Sequence, residues 1–178
     1  MSRTNPFKLL QELEARLQKK SGFSRDDSER KDWTGVLFRV GEDSMLAPMS
    51  MLDELVPAPP ISRVPGVKPW VLGLANLHNA LMPVIDLQGF LFGTELGKPN
   101  DARRMLVLSN GGHKIGLLVA EVFGMKQFWT SDEVNERPPL AAELQPYVSA
   151  GLKRFGEHYA VFDPNKLLIA PEFLDNLL

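Results

Sequence analysis

Three histidines, His78, His113 and His158, are the side chains of this sequence best suited to moving a proton near neutral pH. None stands two or four residues from another, so the local sequence contains no metal-ligating pair. His113 follows a Gly-Gly turn and His158 falls in a hairpin turn, which makes both exposed turn residues. The absence of cysteine removes thiolate nucleophiles, disulfides and zinc knuckles together. The chain also lacks a G-x-S-x-G elbow, a P-loop and a G-x-G-x-x-G fingerprint. Catalysis would need a site assembled from distant residues. The expectation is a protein that is not an enzyme and that holds neither metal nor cofactor.

Three carboxylates remain. Asp86 ends the apolar stretch GLANLHNALMPVID and precedes LQGFLFG. There it can accept the free N–H groups at the start of a helical turn, worth about 1 kcal/mol. Acid–base work would need a second polar group nearby, and the local sequence supplies none. Glu54 and Glu121 sit in two similar corners, Leu52-Asp53-Glu54-Leu55 and Val119-Ala120-Glu121-Val122. They are either solvated glutamates on amphipathic turns or acidic contacts flanking a groove between two β-units.

The elements that must position these residues are short. Asn5, Pro6 and Gly22 bracket a first helix whose Phe7, Leu10, Leu13 and Leu17 form one apolar stripe. That helix either docks on its own domain or binds a partner. The polar run SRDDSERKD then reads as a linker. From Trp33 the pattern becomes strand and turn: WTGVLFRV, GEDS, MLAPM, and a corner with Met51, Leu52 and Leu55 turned inward. Pro65-Gly66 suits a type II turn, because proline fixes the first φ and glycine accepts a positive second one. WVLGLANL and ALMPVIDL form the next strand pair. RRMLVLS and KIGLLVAEV then flank a hairpin turn placed at Asn110-Gly111. The tail holds a hairpin turning at Gly156-Glu157, a helix start at Asp163-Pro164, and a final short helix from Pro171. Strand, turn, strand and corner thus occur twice, a weak internal repeat.

The 178 residues suffice for one domain or two small ones sharing a core. With 20 basic and 22 acidic residues well mixed, a broad basic face for nucleic acid is not expected. No apolar run approaches the ~20 residues that span a bilayer. The expectation is a soluble, cytoplasmic protein with many turns and small β-barrels.

The corner at Leu52 to Leu55, the Pro-Gly segment, WVLGLANL, MPVIDL and IGLLVAEV follow one another in an order similar to that of the CheW family of chemotaxis coupling proteins. The resemblance covers about Trp33 to Leu168. The N-terminal helix, the Phe-Gly-Met after the second corner and the length resemble the branch of that family found in type IV pilus systems. The resemblance implies a mainly β fold: two five-stranded, SH3-like or OB-like barrel subdomains around a shared core, with an N-terminal helix and short C-terminal helices. It divides the chain into a helix over 1–23, a linker over 24–32, a CheW-like domain over 33–170 and a short helix over 171–178.

The implied function is that of an adaptor joining the cytoplasmic tip of a methyl-accepting chemoreceptor to a CheA-like histidine kinase, recruited to receptor arrays at the inner membrane. Ring or array assembly is also implied, and the output would be twitching motility. An array-organising or polar module that does not activate a kinase is the alternative within the same fold. Carried over by motif, Leu52, Glu54, Leu55, Gly73, Asn76, His78, Val119, Glu121 and Val122 would form the partner-binding site. Pro65, Gly66, Asn79 and Asp86 would serve as turns or caps. A Leu52→Asp substitution is accordingly expected to disrupt receptor binding while leaving the fold largely intact. The chain departs from the family at one place: Asn-Leu-Arg-Gly is replaced by Asn76-Leu77-His78-Asn79. Asparagine accepts the positive φ of the glycine position. Histidine, unlike arginine, offers neither a permanent charge nor a planar fork of donors.

Overall fold

The computed structural model describes residues 32–174. The expected helix over 1–23 and nearly all of the expected linker lie outside the described residues, as does the end of the C-terminal helix. Asp32, counted with the linker, opens the first strand.

The strands are β1 (Asp32–Val40), β2 (Asp43–Pro48), β3 (Glu54–Pro57), β4 (Val71–Leu77), β5 (Ala80–Asp86), β6 (Arg104–Asn110), β7 (His113–Val119), β8 (Glu121–Trp129), β9 (Glu133–Val134), β10 (Val148–Arg154) and β11 (Glu157–Phe162). The helices are α1 (Leu87–Phe92), α2 (Pro164–Leu168) and α3 (Pro171–Leu174). One sheet runs β8-β1-β2-β11-β10-β9 and the other β3-β6-β7-β5-β4. Each curls on itself. The short β9 leaves the end of β8 through a turn at Thr130–Asp132 and pairs with β10 at the opposite edge. Ser62, beyond the end of β3, exchanges backbone hydrogen bonds of 2.8 and 2.9 Å with Leu74 on β4. The expected pair of five-stranded barrels is therefore present, with β9 as an extra two-residue strand in the first.

The internal repeat is genuine, and its halves interleave. In matching order, β8-β1-β2-β11-β10 corresponds to β3-β6-β7-β5-β4. Among the described residues the only parallel contacts are β11 with β2 and β5 with β7, which occupy equivalent places. Asp86 ends β5, and Asp163 directly follows the equivalent strand β11. Each donates its N–H at 2.8 Å, to the carbonyls of Trp70 and Tyr147 respectively. Each also caps the helix that follows: the Asp86 side chain accepts from Gly89 and that of Asp163 from Asn165. At each corner the chain crosses from one barrel into the other, β2 into β3 and β7 into β8.

Alternation along the strands builds three apolar clusters. Val36, Phe38, Val40, Leu106, Leu108, Ile115 and Leu117 meet α2 and α3 in a core shared by both barrels. Met82, Met105, Val107 and Leu118 fill the second barrel, and Leu46, Phe128, Leu152 and Tyr159 fill the first. Strand β6 faces a core on both sides, which is why MLVL is apolar without a break.

Three local expectations need correction. The β6–β7 turn is Gly111-Gly112, with φ of 57° and 88°, while Asn110 pairs across it with His113. A two-residue loop of this kind requires positive φ at both centres, and two glycines meet that at no steric cost. The last hairpin turns at Phe155-Gly156, with φ of 51° and 81°, so Glu157 and His158 belong to β11. Met51, expected inside, is 39% exposed, because the 3-10 turn Met49–Met51 lifts it off the core before Leu52 returns to it.

Candidate functional site

The first corner gathers polar and charged side chains from the start of β3, from β6 and β7, and from the β4–β5 turn. Glu54 opens β3, and its carboxylate is shared by His78 Nε2 at 3.0 Å and Lys114 Nζ at 3.4 Å. Lys114 also lies 4.0 Å from Asp53 Oδ2, the oxygen that accepts a hydrogen bond from the Ser109 hydroxyl. Ser109 and Lys114 face each other across the β6–β7 hairpin, while His78 reaches over from the tip of β4–β5. The result is a half-exposed cluster with two carboxylates, one ammonium and one imidazole. The His78 side chain is 70% exposed and stands on an open turn, with no enclosed acid–base pocket around it.

That turn is of the type with two positive central φ values, 50° at His78 and 64° at Asn79. Asparagine and histidine are both among the non-glycine residues that take this backbone most readily. Gly66 has φ 79°, as the second centre of a Pro-Gly turn requires. Gly73, with φ 137°, is fixed by contact: a Cβ there would lie 2.1 Å from the Ser62 carbonyl oxygen that closes the barrel. Gly73 is therefore a structural residue whose own surface is buried, while Asn76 on the same strand is exposed and faces Leu81 across the hairpin.

The second corner has its own cation. Glu121 opens β8 opposite Arg39 of β1, with the guanidinium at 3.4 Å. The pair is about two-fifths exposed on each side, so it directs more than it stabilises. Leu55 and Val122 follow the two glutamates and both rest, partly exposed, on the shared core. Leu52 at 7% and Val119 at 1% exposure belong to that core outright. Buried side chains of this kind hold a surface in place and have almost none of their own to offer. The expectation that Leu52→Asp would spare the fold is therefore overturned: it would place a charge in the core between the barrels.

Asp86 is the one carboxylate in the chain that is almost wholly buried among the described residues, at 1% exposure. It accepts hydrogen bonds of 2.8 Å from the N–H of Gly89 and of 2.8 Å from that of Leu96. Burial pushes its pKa above the ordinary carboxylate value, against the pull of those donors and of Arg103. Arg103 donates to the carbonyls of Leu96, Gly97 and Lys98, so the two charges pin the 95–103 loop from opposite sides. The role is a cap and a clamp. Sequence reasoning found the cap and missed Leu96, Arg103, Lys114 and Arg39, all of which arrive from other strands or loops. No group of three His, Asp or Glu side chains able to hold a metal occurs among the described residues. No described helix is long and apolar enough to cross a membrane.

Comparison with known proteins places this geometry. Residues 34–172 match the CheW-like domain. The chain is 37% identical to protein PilI of Pseudomonas aeruginosa over 171 residues, 96% of this chain and 95% of that protein. It is 21% identical to chemotaxis protein CheW of Klebsiella aerogenes over 145 residues, covering 80% of this chain and 86% of the relative. The crystal structure of scaffolding protein TtCheW from Thermoanaerobacter tengcongensis has the same fold, with a TM-score of 0.63 at 20% identity over 75% of this chain and 90% of that one. A match across most of the chain, two pseudo-equivalent barrels and paired acidic corners lead to one assignment: the chain belongs to the CheW-like domain family, whose proteins are noncatalytic scaffolds and coupling adaptors, and is a homologue of PilI.

Proposed function

We propose that this protein couples the cytoplasmic tip of a methyl-accepting chemoreceptor to a CheA-like histidine kinase in a pathway that controls type IV pilus twitching motility. The observation that carries the reading is the 37% identity to PilI spanning 96% of the chain. The corners supply a surface suited to the task. Leu55 and Val122 present apolar area beside Glu54 and Glu121, and Asn76 and His78 extend it along β4 and its turn. A receptor helix with an apolar stripe at i, i+3, i+4 and i+7 and basic residues beside it fits such a surface. Leu52, Gly73 and Val119 support that surface from beneath. The protein acts from the cytoplasmic side, at receptor arrays on the inner membrane. In the proposed division of the chain, residues 33–170 form the coupling domain.

The test is co-purification. Tagged full-length protein is expected to retain both the helical tip of a receptor and the regulatory domain of the kinase. Retention of neither would end the coupling reading.

A further inference from the structure

A cavity of about 740 Å³ opens in the second barrel between the 58–69 and 95–103 loops. That is the size of sites that enclose small organic molecules. Its walls are aliphatic: Ile61, Val64 and Val67 come from the first loop, Leu72 from β4, Leu96 from the second loop and Leu118 from β7. No aromatic ring lines it, so the walls suit a flexible chain better than a flat ring that would stack. The cavity shares no residue with the two corners.

The same cavity is lined by a buried cation. Arg103 is 8% exposed, and among the described residues no carboxylate lies within ion-pair distance of it. A charge taken out of water to this extent is ordinarily paired. Asp86 feels the guanidinium from beyond that distance, but its two oxygens already accept from the N–H groups of Gly89 and Leu96. Arg103 uses a single nitrogen, Nη2, for the carbonyls of Leu96, Gly97 and Lys98. Its Nη1 and Nε donate to no group among the described residues. Among those residues no buried side-chain nitrogen is left unpaired, so these two reach open volume at the cavity that Arg103 lines. The rims do not decide the sign of a ligand, since Arg63 and Lys68 stand on one loop and Glu95 and Asp101 on the other. The free donors of Arg103 do, and they call for an anion.

We propose that this cavity binds a small aliphatic monocarboxylate, with its chain along the apolar walls and its carboxylate on the free donors of Arg103. The ligand would bridge the two loops that frame the mouth. The site involves neither a receptor nor a kinase, and its failure would leave the coupling reading untouched.

The experiment is calorimetric titration of the full-length protein with sodium octanoate. Saturable binding of one octanoate per chain is expected. Octanol, which has the same tail and no charge, is expected to bind about 10-fold more weakly or worse, as loss of hydrogen bonds to a charged group implies. Octylammonium, with the opposite charge, is expected to bind no better than octanol, and acetate, with no tail, not to bind measurably. Val64→Asp puts a negative charge on a wall residue that is 37% exposed, so the fold is kept, as unchanged thermal unfolding would show. It is expected to weaken octanoate binding about 10-fold or more. Ile169→Asp makes the same change of charge at a residue 71% exposed and outside the cavity, and is expected to bind as the wild type does. Absence of saturable octanoate binding, octanol or octylammonium binding as tightly as octanoate, or full affinity in folded Val64→Asp would each overturn the proposal.

Discussion

At position 78 an imidazole stands where the family's motif has a guanidinium, and its consequence is set by Glu54, 3.0 Å away. Lys114 holds the other oxygen of the same carboxylate, so the corner keeps a permanent cation from β7 whatever the state of His78. His78→Arg is therefore expected to preserve the link to Glu54 and to leave receptor-tip binding equal or tighter in a titration. A clear loss of binding would show that this chain uses the position differently. Asp86 makes a prediction of the opposite kind, about stability. Asparagine can accept from only one of the Gly89 and Leu96 N–H groups, which leaves the other buried and unpaired at a cost of about 1–3 kcal/mol. Because burial raises the pKa of Asp86, the folded state binds this proton more tightly than the unfolded chain does. Its contribution is fully present below the ordinary carboxylate value near ~3.9 and declines as pH rises through the raised one. The stability advantage of wild type over Asp86→Asn, measured by denaturant unfolding, should thus shrink from pH ~4 upward. An advantage that grows with pH would contradict the assignment.

Among the elements, the two corners decide what can be touched. Leu52 and Val119 lie inside the shared core, whereas Leu55 and Val122 rest on its rim. A charge is accordingly tolerated at 55 and not at 52. Leu55→Asp is expected to stay folded by circular dichroism and to weaken receptor-tip binding by about 2 kcal/mol, the scale of an interface anchor. Full affinity in the folded variant would remove the corner from the interface. The corners were legible in sequence because each joins an apolar pair to a glutamate that opens the next strand, Glu54 at β3 and Glu121 at β8. The depth of Leu52 was not, because period-two alternation gives the face of a residue and not which barrel covers it. Strand β8 was also hidden. Phe123 and Met125 are exposed, and Gly124, with φ 135°, accompanies a register shift opposite Leu37 and Phe38, so its apolar pattern does not alternate with burial. The Phe155 turn escaped for a different reason: the chain there breaks the turn chemistry that sequence reading relies on.

For the whole molecule, interleaving explains why two small barrels behave as one unit. Each hairpin-and-corner passes from one barrel to the other, so neither barrel can close without strands supplied across the shared core. The central claim concerns what this rigid unit connects. The direct measurement is autophosphorylation of the CheA-like kinase in the presence of receptor tips, with and without this protein. The account predicts that the receptor alters kinase activity only when the full-length protein is present, and that Leu55→Asp abolishes the effect. Receptor control of the kinase without the protein, or a kinase indifferent to it, would contradict coupling and leave a module that only organises arrays.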